Sequence, residues 1–269
     1  MRRPGGASPT APGDPTEPWP TAVPAWPASA GGWVRLTIVL AALFALFHGI
    51  AEGLGSDRGQ HGPLIATVVV VAVLGADRRL SGEPLARCLQ GLGLGAPRLR
   101  GLGTAAALCL LLLASVPLLF RSAGAEPTLL PGWALLLPGL FAQAGIAEEV
   151  LFRGFLFRRL RRGRSFRRAA GLAAIPFVLV HLLLLATLAP PVALASIALA
   201  AAISFPLAHL YELGGGTIWA PALLHFVVQG TVKVLDLDGV PPTVPVLWML
   251  ASATVPWAAF LVRRRPLPA

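Results

Sequence analysis

Eight apolar runs, at about 34–54, 62–76, 102–120, 129–157, 169–188, 190–210, 217–235 and 241–262, are divided by Gly, Pro or Arg clusters and occupy most of the 269-residue chain. A membrane-crossing helix needs about 20 predominantly apolar residues. Runs of this length and spacing leave little to fold into except a bundle of membrane helices. Composition agrees, because 13% charged residues, against roughly 25% in soluble domains, cannot cover the surface of a 28.0 kDa solute. The reading is an all-α polytopic transmembrane helix bundle of about eight spans. The run at 62–76 is short, and only Ala189-Pro190-Pro191 separates the fifth run from the sixth, so seven spans also fit. No internal repeat is visible.

Residues 1–33 carry eight prolines with Gly, Ala and few large aliphatics, too little apolar surface to bury a core. They are expected to form a disordered Pro-rich cytoplasmic tail ahead of a transmembrane helical domain at 34–265. A signal peptide would put its apolar stretch directly behind a short basic start, so the first run is expected to stay as an anchor. Cys88 and Cys109 are the only cysteines, which excludes a disulfide framework and a paired CxxC metal site.

The net charge of +10 raises the question of nucleic acid, and the positions of the charges answer it. Loops on the cytoplasmic side of a membrane collect Lys and Arg. With the N-terminus inside, eight spans put four groups on one side: Arg2, Arg3 and Arg35; then Arg78, Arg79, Arg87, Arg98 and Arg100; then Arg158, Arg159, Arg161, Arg162, Arg164, Arg167 and Arg168; then Arg263, Arg264 and Arg265. Only Arg58 and Arg121 fall opposite, while Arg153 and Lys233 lie in or near spans. The basic excess therefore marks orientation, with both termini cytoplasmic, and the expected partner is the lipid bilayer and not nucleic acid. One Lys among 22 basic residues, with abundant Ala and Leu, suggests a GC-rich coding sequence and a multi-pass protein of a bacterial plasma membrane.

Ionisable groups inside a span are costly unless paired or facing a cavity, so each is a functional hypothesis. The fourth run holds Glu148, Glu149 and Arg153. Glu149 and Arg153 are four apart in the favourable acid-before-base order and can neutralise each other. Glu148 points about 100° away, with no partner on its own helix, and so suits a general base or acid. It precedes Arg158 by ten residues, about 15 Å of helix, too far to snorkel out. His181 shares a helix face with Phe177, and His225 shares one with Gln229. Measured along their helices, His181 lies ~18 Å and His225 ~13 Å from the cytoplasmic ends, so both can converge with Glu148 at one depth. By contrast, His48 and Glu52 read as a structural or interfacial pair in the outer half of the first span. His209, Tyr211 and Glu212 read as interfacial groups at a helix end.

Glu148-Glu149-x-x-x-Arg153, Phe177-x-x-x-His181 and His225-x-x-x-Gln229 resemble the three ordered motifs of the CPBP family, the CAAX prenyl protease and bacteriocin-processing intramembrane endopeptidases. The resemblance covers a protease core at about 130–235. It implies hydrolysis of a peptide bond in a membrane-embedded or lipidated peptide or protein. Glu148 and His181 would activate a water, His225 and Gln229 would orient substrate and stabilise the oxyanion, and Glu149, Arg153 and Phe177 would support the site. Glu148, His181 and His225 could form a zinc site with an open position, although nothing in the chain requires a divalent metal and the HExxH helix is absent. The family usually has Asn, sometimes Asp, where this chain has Gln229. A reacting group displaced by about an ångström costs on the order of 100-fold in rate, so a catalytically impaired relative acting as a membrane binding or regulatory protein is the alternative. A proton-relay transporter is a third reading, and it expects internal repeats.

Overall fold

The computed structural model describes residues 26–55 and 58–263, and most of the expected tail lies outside the described residues. Nine helices carry the fold among them. These are α1 (Ala30–Gly53), α2 (Gly62–Ser81), α3 (Leu85–Gly91), α4 (Leu99–Ser122), α5 (Trp133–Arg161), α6 (Phe166–Thr187), α7 (Pro190–Leu213), α8 (Trp219–Val234) and α9 (Thr243–Leu261). Ser29 caps the first, accepting from the Gly32 amide at 3.2 Å, so that helix begins four residues before the apolar run does. Eight of the nine sit at the eight runs, and the short α3 fills the connection between the second and third.

Six of these helices are long and apolar enough to cross a membrane: α1, α4, α5, α6, α7 and α9. The protein is an all-α, multi-pass membrane protein. The helices at the second and seventh runs differ in composition or length. The former extends through Asp77, Arg78 and Arg79, and α8 has 16 residues. Two indole N–H groups tie α8 into the bundle, Trp219 donating to the Gly95 carbonyl at 2.7 Å and Trp248 to the Val228 carbonyl at 3.2 Å.

The fifth helix is the centre of the packing. Of its most apolar window 56% is buried inside the protein, against 17% for α1. Every residue from Val150 to Phe157 is buried. A two-residue antiparallel ladder, Thr128–Leu129 with Leu235–Asp236, clasps the α4–α5 connection to the end of α8. At the start of α5 the backbone of Gly139 touches the Gly59–Gly62 turn so closely that a Cβ at Gly139 would strike the Gly59 carbonyl. Gly139→Ala should therefore overpack this crossing and cost about 1–3 kcal/mol, measured as a lowered thermal midpoint in detergent.

Two helices outrun their apolar sequence, and the reason is shared. Asp77 on α2 is 1% exposed and pairs with Arg158, at 2.5 Å, and with Arg159. Arg161 pairs with Glu212 on α7 at 2.6 Å, both buried. These contacts carry α2 past 76 and α5 past 157. Arg158, Arg159 and Arg161 are thereby internal ties between α2, α5 and α7. One expectation is corrected. Glu212 is not interfacial, because the end of α7 is packed inside the bundle, where Tyr211 is also fully buried and His209 bonds the Val262 carbonyl at 3.1 Å. His48 and Glu52 are exposed on α1, the ring of His48 stacked on Phe44.

Candidate active site

The acidic pair sits where α5 changes its winding. Phe141–Ala147 and Val150–Phe157 are wound as π-helix, with Glu148 and Glu149 between them. Such wide turns are rare and concentrate at functional sites. Gly154 allows the second wide turn to lie against the chain after α3, since a Cβ there would meet the Leu92 carbonyl. The turn aims the two carboxylates at α8.

Glu149 is fully buried, and its Oε1 accepts from Arg153 Nη1 at 2.8 Å and from His225 Nδ1 at 2.8 Å. The first bond is the expected i,i+4 pair. The second crosses from α8, and spacing within one helix gives no signal of it. Charge-assisted bonds of this kind are short and strong. With Nδ1–H donating to Glu149, His225 keeps its Nε2 lone pair on the other side of the ring.

On that side Gln229 Nε2 lies 3.0 Å from His225 Nε2 and 3.4 Å from Glu148 Oε1, donating toward both. The Glu148 Oε2 atom is 3.7 Å from His225 Nε2. Glu148 is the more open of the two acids, with 16% of its side chain exposed against none for Glu149. Glu148 has partners across helices that its own helix does not supply.

Phe177 on α6 holds the remaining pieces together. Its ring lies 4.9 Å from His181, 5.9 Å from His225 and 4.9 Å from Phe152, and the Arg153 guanidinium stands 4.5 Å over its face. The regular part of α6 ends at His181, whose Nδ1 meets the Phe177 carbonyl at 2.6 Å. This imidazole is half-buried and within electrostatic reach of Glu148, His225 and Arg153. Among the described residues no hydrogen bond or ion pair joins it directly to Glu148.

Among the described residues no group of three or more His, Cys, Asp or Glu is placed to hold a metal ion. His225 Nδ1 is engaged by Glu149 and His181 Nδ1 by the Phe177 carbonyl, which leaves the Nε2 atom of each ring for other chemistry.

Fold and site together define a polytopic helical membrane protein with a Glu–His–Gln cluster buried between α5, α6 and α8, backed by a Glu–Arg pair. Residues 130–231 match the family model of the type II CAAX prenyl endopeptidases, described as Rce1-like. The matched stretch falls on the core expected at about 130–235 and contains every candidate site residue. A comparison with curated proteins finds no match.

Proposed function

We propose that the protein is an intramembrane endopeptidase that hydrolyses a peptide bond with a water activated by Glu148. The observation that carries this reading is the reach of Gln229 to both Glu148 and His225 while Glu149 and Arg153 hold the far side of the imidazole. The match at residues 130–231 supports a protease role. The substrate class is a membrane-embedded or lipidated peptide or protein, of the CAAX-processing or bacteriocin-immunity type, and the setting is a bacterial plasma membrane with both termini cytoplasmic.

In this scheme Glu148 takes a proton from the water as its oxygen attacks the scissile carbonyl carbon. His181, with Nδ1–H donating to the Phe177 carbonyl, offers Nε2 as acceptor for the water's second hydrogen. The carbonyl π electrons move onto oxygen, and the resulting oxyanion takes over the amide hydrogens that Gln229 directs at Glu148 and His225 in the free site. Collapse breaks the C–N bond, and the proton on Glu148 passes to the leaving amine. Glu149 and Arg153 cancel each other's charge and hold His225 in one tautomer, so they are positioning residues.

Two measurements test the parts. Gln229→Ala should lower kcat by about 10²–10³-fold, the scale for one oxyanion donor, and Gln229→Asn should recover part of that loss because it restores the amide with a shorter reach. Equal kcat for the parent and Gln229→Ala would remove Gln229 from the chemistry. Cleavage by purified protein is expected to survive exhaustive chelation, because the scheme activates the water with Glu148 and His181 alone. Loss of cleavage on chelation with recovery on added zinc would assign Glu148 and His225 to a metal instead.

A further inference from the structure

The arginines at one end of the bundle fall into two sets that the sequence does not separate. Arg158, Arg159 and Arg161 are buried and consume Asp77 and Glu212. Arg78, Arg79, Arg100, Arg162, Arg167 and Arg168 are exposed. They come from the end of α2, the start of α4, the α5–α6 connection and the first turn of α6. Contacts already described bring these elements to the same end, through Asp77 with Arg158 and Arg161 with Glu212, while the Arg98 amide donates to the Gly214 carbonyl at the end of α7. Among the described residues the acids at this end are Asp77, Glu83 and Glu212, and each is engaged by an arginine, Glu83 by Arg87 at 3.2 Å. Among the described residues none of the outer six forms an ion pair of this kind, and the acids within electrostatic reach of Arg162 are Asp77 and Glu83, each engaged by another arginine. Drawing Asp77 and Glu212 inside to tie the helices together has left the rim predominantly positive, with Glu83 as its exposed acid.

Two indoles lie at the same level. Trp33 is 36% exposed with Arg164 over its ring at 5.4 Å, and Trp257 is 46% exposed beside Phe205 and Phe260. Exposed Trp at the ends of membrane helices sits at headgroup depth.

We propose that this rim binds the headgroups of anionic phospholipids, with Arg162, Arg167 and Arg168 as its centre. A cluster of exposed guanidinium groups at headgroup depth, flanked by interfacial indoles and in excess over its acidic neighbours, is complementary to phosphodiester charge at the membrane surface and supplies the bidentate geometry that phosphate oxygens take.

The test uses the full-length protein in a non-ionic detergent, titrated with mixed micelles of phosphatidylglycerol or phosphatidylcholine, with retained lipid read by native mass spectrometry. Phosphatidylglycerol should be retained in preference. The combined variant Arg162→Gln, Arg167→Gln, Arg168→Gln should lose that preference by on the order of 100-fold, at about fivefold for each arginine. The pair Arg58→Gln, Arg121→Gln, at the other end of the bundle, should keep it. All are expected to fold alike, because none of these five side chains is buried, and matching thermal midpoints verify that. Equal retention of the two lipids, a preference that survives in the triple variant, or one lost equally in the Arg58 and Arg121 pair overturns the proposal. So does binding of a soluble acidic polypeptide in place of the lipid.

Discussion

Glu148→Gln is expected to reduce peptide cleavage by about 10²–10⁴-fold, the range general acid–base groups contribute, with little change in thermal stability. The two properties part because Glu148 has only long contacts, 3.4 Å from Gln229 and 3.7 Å from His225 Nε2, and keeps some exposure, so the neutral amide loses no short buried ion pair. Glu149→Gln provides the contrast, since Glu149 is fully buried and takes two short bonds from cationic or protonatable groups. That variant strands Arg153 beside Phe177 and should lose stability as well as activity. A measured profile in which Glu149→Gln abolishes cleavage and Glu148→Gln leaves it intact would exchange the roles of the acids. Comparative peptidomics of membranes with and without the protein supplies the substrate for the assay.

Arg161→Met should destabilise the bundle by about 3–5 kcal/mol, the cost of breaking a buried pair by removing one partner. Arg161 is 1% exposed and Glu212 2%, and Arg161 Nε donates to Glu212 Oε1 at 2.6 Å. The guanidinium also reaches the Arg164 carbonyl, so its loss loosens the turn between α5 and α6. Adding Glu212→Leu to Arg161→Met should recover most of the loss, because replacing both members of a buried pair with apolar groups is often neutral or better. Chemical or thermal unfolding in detergent reads both variants. A single variant as stable as the parent would show that the pair is solvated and that α7 does not depend on it.

Much of the site is legible in the order and spacing of its residues. Glu149 and Arg153 meet as i,i+4 spacing requires, Phe177 meets His181 edge to face one turn on, and Gln229 reaches back to His225 across the same interval. Each of these is a contact within one helix, where 3.6 residues per turn decide which side chains are neighbours. The bond from His225 to Glu149 and the pairing of Asp77 with Arg158 and Arg159 carry no such periodic signal. They join helices far apart in the chain, and their existence depends on the crossing of α2, α5 and α8.

By itself the sequence determined the solvent and the helices, because apolar length and helical periodicity are properties of a linear chain. Tertiary structure alone decided which charges meet. Glu149, with no exposed surface, became the acceptor for two cationic or protonatable groups, and Glu148 kept the opening toward Gln229. At the end of the bundle, packing drew Asp77 and Glu212 inside onto three arginines and left their neighbours on the surface. The physical reason is the same in both places. A charge removed from water must find a counter-charge in space, and position in space is set by how the helices cross.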